Sequence, residues 1–287
     1  GDGHIRRAVY GVVLGVAVEE RHMSGQVSLA GKGLVVGYGG APVLDGVDFA
    51  VPSGQFTVIV GPNACGKSTL LKTLARVLRP SSGQVELGGR PISSYSPKQV
   101  AKQVALLPQS PQAPEGISVA DLVARGRHPH QSLLRQWSPA DERAVQDALE
   151  RAGVASLASR RVEELSGGQR QRVWIAMALA QDTPVLLLDE PTTYLDISHQ
   201  VEVLELAAAL QRQGRTVVAV LHELALAFRY ATHLVVMHQG AIVAQGCPRE
   251  IVTEQLIEKV FDLPCQLLHD PQTGAPLVLP RPRKQAL

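Results

Sequence analysis

Four short stretches of this chain are almost continuously apolar: Phe56–Val60, Val104–Leu107, Val185–Leu188 and Thr216–Leu221. Runs of this length without alternation are the pattern of strands buried on both faces, as in a parallel sheet. Between them the apolar positions recur at helical spacing. Leu70–Val77 follows the first run, Val173, Ile175, Ala176 and Leu179 precede the third, and Val201, Leu204, Ala208 and Leu210 precede the fourth. Strand and helix patterns that alternate in this way predict an α/β domain. Residues 33–36 and 47–51 read as short strands joined by glycine turns, and Gln84–Leu87 alternates like an edge strand. Leu234–Met237 and Ala241–Ala244 flank His238-Gln239-Gly240 as a final hairpin. Residues 249–262 read as a closing helix, and the proline-containing tail after it as extended.

The pattern changes at Ser110-Pro111-Gln112-Ala113-Pro114 and stays helical to about residue 164. Ser118 has capping-box spacing to Asp121, and Ser138 to Asp141, with Pro139 at the first helical position. This segment is a helical insert within the α/β domain. Its basic stretch Arg125-Gly126-Arg127-His128-Pro129-His130 is either a solvated loop or a docking surface.

Composition adds limits. The 287 residues carry a net charge of +2, with 45% hydrophobic and 19% charged positions. That is the balance of a soluble globular protein with no global demand for nucleic acid. Three scattered cysteines make neither a disulfide framework nor a metal site and fit a reducing compartment. No apolar run approaches the roughly 18 residues that span a bilayer, so a role at a membrane is expected to run through a partner. Residues 1–28 contain a short apolar core after Arg6-Arg7, but Glu19-Glu20-Arg21-His22 follow where small cleavage-site residues would stand. They are read as an extension without a fold of its own.

The chemistry concentrates where strands end. Gly61-Pro62-Asn63-Ala64-Cys65-Gly66-Lys67-Ser68-Thr69 has the form G-x-x-x-x-G-K-S and lies between the first buried strand and the first helix. In that context its backbone N–H groups cradle a polyphosphate, Lys67 reaches the β- and γ-phosphates and Ser68 ligates Mg²⁺. Asp189, ending the third buried run, can hold Mg²⁺, and Glu190 can polarise an attacking water. His222 ends the fourth run at the same sheet edge, placed to touch a γ-phosphate. Gln109 follows the second run; alone, it is as readily a solvated loop residue. Tyr38, just upstream of the loop, is either an adenine-stacking ring or a half-buried turn tyrosine. Ser166-Gly167-Gly168-Gln169 combines a capping box with bare glycine amides, a second phosphate site. Two such sites in one chain suggest that the second site of one molecule completes the first site of another. Cys65, near a helix start, is either a thiol of depressed pKa or a small packing residue with an inert thiol.

Taken together, the phosphate loop, Gln109, Leu165–Gln169, Asp189-Glu190, Asp196 and His222 occur in the order found in the ATPase subunits of ABC transporters, and residues 30–270 resemble that family. The resemblance implies a P-loop NTPase of the ABC ATPase fold: a RecA-like mixed sheet with an antiparallel β subdomain and an inserted α-helical subdomain at about 111–165, the whole spanning 29–270, with 271–287 as a tail. It implies ATP and Mg²⁺ as cofactors, and a head-to-tail homodimer in which each ATP lies between the phosphate loop of one chain and Ser166–Gln169 of the other. Glu190 would be the general base and His222 the γ-phosphate switch. Gln109 would join Ser68 and Asp189 around Mg²⁺, Tyr38 would stack on adenine, and Asp196 would communicate between the two sites. The partners implied are permease subunits and, through them, an extracytoplasmic substrate-binding protein, with the chain at the cytoplasmic face of the inner membrane.

Ala64-Cys65, Ala124–His130, Asp189–Gln200 and Asp270-Pro271-Gln272-Thr273-Gly274 are similar to the iron–siderophore importers, with cobalamin and haem importers as relatives. Two positions depart from the commoner pattern: Ala64 stands where glycine is usual, and Glu223 where Asp is usual. Neither removes a catalytic group. An ABC ATPase of translation or DNA repair would more often show paired cassettes or a coiled-coil insert, and an exporter a fused membrane span.

Overall fold

The computed structural model describes residues 28–282; the N-terminal extension up to residue 27 and the last five residues of the tail lie outside them. The chain opens with β1 (Leu29–Val36) and β2 (Leu44–Val51), an antiparallel pair. It then crosses into β3 (Phe56–Val60), leads through the phosphate loop into α1 (Lys67–Leu74), and returns through β4 (Ser82–Leu87) and the two-residue β5 (Arg90–Pro91). All of these strands but β3 form a four-stranded antiparallel sheet in the order β2-β1-β4-β5. Two expectations shift here. β1 begins four residues earlier than its apolar pattern suggests, because Gly31 and Gly33 interrupt the alternation and Gly33 takes φ 56 at a bulge. β4 is not an edge strand, because the Gly88-Gly89 turn folds β5 back onto it.

After α2 (Pro97–Ala101), the chain enters β6 (Val104–Leu107) and the helical insert. The insert holds α3 (Val119–Ala124), a 3₁₀ segment Arg125–His130 and α4 (Pro139–Arg151), and packs on α5 (Gly167–Ala180). Ser138 and Asp141 form the reciprocal capping box read from the sequence, whereas Ser118 caps α3 by accepting from Asp121 N–H without the return bond. The basic stretch is not uniformly a surface. Arg127 is buried, its Nε donating to Asp141 Oδ1 at 2.9 Å and its Nη1 to the Ala180 carbonyl at 2.7 Å. Arg125 and His128 remain exposed.

The main sheet is completed by β7 (Val185–Asp189), α6 (Ile197–Arg212), β8 (Thr216–Val220), α7 (Leu224–Tyr230), β9 (His233–His238) and β10 (Ala241–Gly246). Its order is β10-β9-β3-β8-β7-β6, parallel except for the β9–β10 hairpin, which matches the mixed α/β sheet expected. Side-chain alternation explains why the central strands are apolar throughout. Phe56, Leu186, Leu188, Val217 and Ala219 enter a core shared with the insert, α5 and α6. Ile59, Val185, Leu187, Val218 and Val220 enter a second core, shared with Leu70, Leu71 and Leu74 of α1 and with the antiparallel sheet. Each face buries its own half of every strand, at about 25 cal/mol per Å² of apolar surface.

The C-terminal part departs from expectation. The single closing helix is two, α8 (Pro248–Ile251) and α9 (Glu254–Phe261), divided where Thr253 caps the second through Leu256 N–H. Residues after 270, read as an extended tail, continue the fold. β11 (Cys265–His269) pairs with β12 (Pro276–Pro280) across a turn built on Asp270, and Arg229 at the end of α7 reaches the Asp270 carboxylate. The unbroken apolar run Leu277-Val278-Leu279 supplies the strand propensity that the flanking prolines hide.

Candidate functional site

The phosphate loop lies between the end of β3 and α1 because both ends are pinned. A Cβ at Gly61 would come within 2.3 Å of the Met237 carbonyl on β9, so only glycine passes there. Gly66 takes φ 103 as the residue preceding α1, and no side chain caps the helix. The first N–H groups of α1 are therefore open to an anion. Ala64 also sits in the left-handed region, at φ 57. The Lys67 ammonium lies across the loop, donating to the carbonyls of Gly61 at 2.9 Å and Pro62 at 2.8 Å.

Ser68 faces Asp189 at the tip of β7, its Oγ donating to Asp189 Oδ1 at 2.7 Å. Asp189 is fully buried, and its Oδ2 has no hydrogen-bond partner. Burial pushes this carboxyl up, and neighbouring Glu190 adds to the rise, while the Ser68 bond and the ammoniums of Lys72 and Lys67 work against it. A buried carboxylate with one oxygen unpaired beside a serine hydroxyl is an oxygen donor set that fits a hard divalent cation.

Glu190 follows at φ 53. The turn of its backbone aims the carboxylate along the sheet edge, where three side chains hold it. His222 Nε2 lies 2.8 Å from Oε1; Gln109 Nε2 and Thr193 Oγ1 lie 2.6 and 3.2 Å from Oε2. Gln109 thus donates to Glu190 and Ser68 to Asp189, so two residues assigned to one cation each engage a different carboxylate. Tyr38, the loop from Asn63 to Thr69, Glu190 and His222 line a cavity of about 280 Å³. Tyr38 is 66% exposed, with its hydroxyl 3.3 Å from Thr69 Oγ1, so it is more open than a half-buried turn residue.

Ser166–Gln169 do not line that cavity. They form the N-terminus of α5 with a complete capping box: Ser166 Oγ accepts from Gln169 N–H, and the Gln169 side chain accepts from Ser166 N–H. Gly168 lies against His199, since a Cβ there would meet the ring at 2.5 Å. His199 in turn is 2.6 Å from the carboxylate of Asp196, the cap of α6. Bonds from the backbone and ring of His199, and from Ser198, hold that carboxyl below the usual range. The chain therefore carries two clusters: one with the phosphate loop, Gln109, Asp189, Glu190 and His222, the other with Ser166–Gln169, Asp196 and His199.

The structure decides one reading left open in the sequence, in favour of an inert packing thiol, and adds two residues. Cys65 is buried, and burial pushes its thiol up rather than down, although Lys67 opposes the shift. Thr193 and His199 were not singled out as site residues, yet each bonds one that was. Their only sequence signal is spacing, three residues after Glu190 and after Asp196, where a turn brings the side chain back.

Residues 44–193 match the family described as ABC transporter. The chain is 52% identical over 253 residues to a ferric enterobactin transport ATP-binding protein of Escherichia coli (strain K12), covering 88% of this chain and 93% of that one. It is 50% identical to a petrobactin import ATP-binding protein of Bacillus anthracis, covering 89% and 94%. Among solved structures, an ABC transporter in an inward-facing conformation superposes with a TM-score of 0.76 at 29% identity, over 89% of this chain and 97% of that one.

Proposed function

This chain belongs to the ABC transporter family, and on that premise we propose that it is the ATP-hydrolysing subunit of an importer that carries iron–siderophore complexes across the cytoplasmic membrane. The observation that carries the proposal is the carboxylate of Glu190 held by Gln109, Thr193 and His222 at the rim of a phosphate-loop cavity. The substrate class rests on relatives, named for ferric enterobactin and petrobactin, that match nearly end to end at 50% identity or more.

In the proposed mechanism the amides of Gly61–Thr69 and the open start of α1 bind the polyphosphate of ATP, and Lys67 exchanges its carbonyl partners for phosphate oxygens. Ser68 and Asp189, with Gln109, would hold Mg²⁺, which when bound neutralises and polarises phosphate oxygens. Glu190 orients a water and takes its proton. His222 fixes the Glu190 carboxylate and presents its ring to the terminal phosphate. Ser166–Gln169, outside the cavity of their own chain, would close the cavity of a second copy in a head-to-tail dimer, and Asp196 would link the two sites. Substrate selection falls to the permease and an extracytoplasmic binding protein. The chain would lie at the cytoplasmic face of the membrane; among the described residues no helix is long and apolar enough to cross it.

Co-purification of the membrane partner, then uptake of ferric siderophores, haem and cobalamin measured side by side, tests the assignment. Ferric siderophore uptake that depends on this chain and stops with Glu190→Gln is expected. Chain-dependent uptake of haem or cobalamin alone would overturn the substrate class.

A further inference from the structure

The helical insert presents an apolar tip that neither the fold nor the nucleotide site requires. Between the 3₁₀ segment and α4, Ser132 and Arg135 exchange backbone hydrogen bonds at 2.9 and 3.1 Å, closing a turn with only Leu133 and Leu134 at its apex. Those two leucines are 98% and 101% exposed. Turns of this size ordinarily carry Gly, Asn, Asp or Ser. Neither leucine has a positive φ, so the backbone accepts almost any pair here, and the leucines are not explained by the turn. Trp137 follows at 46% exposure, its indole N–H donating to Glu142 Oε2 at 3.1 Å. Isolated exposed leucines are ordinary, but two side by side at the apex of a tight turn, with an exposed tryptophan three residues on, mark a contact surface.

The charges around the tip indicate what it contacts. From Leu122 to Ala140 the sequence has no Asp or Glu. Arg127 is neutralised internally by Asp141, but Arg125 and Arg135 are exposed, and Lys98 on α2 donates to the Gln131 carbonyl at the base of the turn. Glu142, at the start of α4, accepts the indole N–H of the tryptophan. Leucines at the apex, an amphipathic aromatic ring behind them and basic side chains at the sides are the order of groups that meets acyl chains, interface and anionic headgroups in turn.

We propose that the Leu133–Trp137 tip enters the headgroup layer of an anionic membrane, giving this chain a lipid contact of its own. This goes beyond the transport role, and its vesicle tests need no permease. The purified full chain should co-sediment with vesicles of phosphatidylglycerol and phosphatidylethanolamine more than with phosphatidylcholine, and less at high salt. The Leu133→Ser/Leu134→Ser variant should bind those vesicles more weakly by on the order of tenfold or more, as loss of inserted apolar surface dictates, with basal ATP hydrolysis and thermal unfolding unchanged. A second measurement uses the unaltered chain. Trp174 is buried, so a blue shift in emission, and quenching by brominated lipid, reports on Trp137. Absence of vesicle binding, equal binding by the variant, or unaltered Trp137 emission would overturn the proposal. So would a variant that keeps vesicle binding but no longer co-purifies with the membrane subunit, because the tip would then be a protein contact.

Discussion

His222 Nε2 lies 2.8 Å from one oxygen of the Glu190 carboxylate, and the other oxygen takes bonds from Gln109 and Thr193. The four residues come from the ends of β6, β7 and β8 and the turn after β7, adjacent strands whose carboxyl ends share one edge. A carboxylate held at both oxygens has little freedom to turn away from the cavity it borders. In the proposed mechanism the histidine would act on Glu190 as well as on the terminal phosphate.

Glu190→Gln should lower ATP hydrolysis by about 10²- to 10⁴-fold, the usual worth of a general base, while nucleotide binding persists. The amide oxygen can still accept from His222, so the fold of the edge is kept. Phosphate release measured beside nucleotide affinity checks this; hydrolysis at the parental rate would remove Glu190 from its role. His222→Ala should also slow hydrolysis with the fold intact, because its ring is over one third exposed and supports no core packing.

The parts legible in the sequence were those in which local chemistry and tertiary position coincide. The apolar runs at 56–60, 104–107, 185–188 and 216–221 could hardly be other than central strands, and the polar residues that end them had to share an edge. What could not be read was which edge residues touch. Gln109 and Glu190 are 81 residues apart, and only the β6–β7 pairing brings them together. Cys65 was undecided for the same reason. Its place near a helix start favours a thiolate, but the side chain is buried, its Sγ packed against Gly61, and burial outweighs Lys67 and the backbone bonds. The β11–β12 hairpin was hidden because prolines at 276 and 280 read as tail.

Lys67→Ala should abolish tight nucleotide binding. The ammonium is the cation that spans the loop, through its bonds to Gly61 and Pro62, and a methyl group cannot neutralise a phosphate. Titration with a fluorescent ATP analogue is the check, and unaltered affinity would show that the loop amides suffice.

The Arg127–Asp141 pair predicts an acid-sensitive insert. The two side chains are 8% and 4% exposed. Burial alone would raise the Asp141 carboxyl, but the Ser138 bonds and the Arg127 guanidinium outweigh it and hold it below the ordinary value. A depressed carboxyl favours the folded state above its ordinary pKa of about 3.9 and loses that contribution as pH falls through the lower folded value. Asp141→Asn should flatten the acid limb of a stability–pH curve. Arg127→Ala, which strands a buried carboxylate, should cost about 3–5 kcal/mol near neutrality. Denaturant unfolding from pH 7 down to 3 measures both.

Thiol labelling should follow burial. Cys247 is only partly buried, whereas Cys65 and Cys265 are buried and their thiols are pushed up by desolvation. Iodoacetamide at pH 7.5 (about one unit below a free thiol's pKa) should modify Cys247 first, with Cys65 far slower than in denaturant. Mass spectrometry of the digested protein gives the order. Fast labelling of native Cys65 would mean that the loop opens around it.

Ala64 offers a test of backbone strain in the phosphate loop. At φ 57 its Cβ crowds the following carbonyl, a cost of about 1–2 kcal/mol for an L residue. Glycine has no such penalty but loses more entropy on folding, which offsets part of the gain. Ala64→Gly should therefore stabilise the protein by about 0.5–1 kcal/mol, a rise in Tm of roughly 1–3 °C. Ala64→Val should destabilise it, because a β-branched side chain tolerates this region worst. Calorimetry on the three proteins should rank Gly above Ala above Val. A glycine variant that melts lower than the parent would mean that the alanine methyl, which lines the nucleotide cavity, contributes packing worth more than the strain it brings.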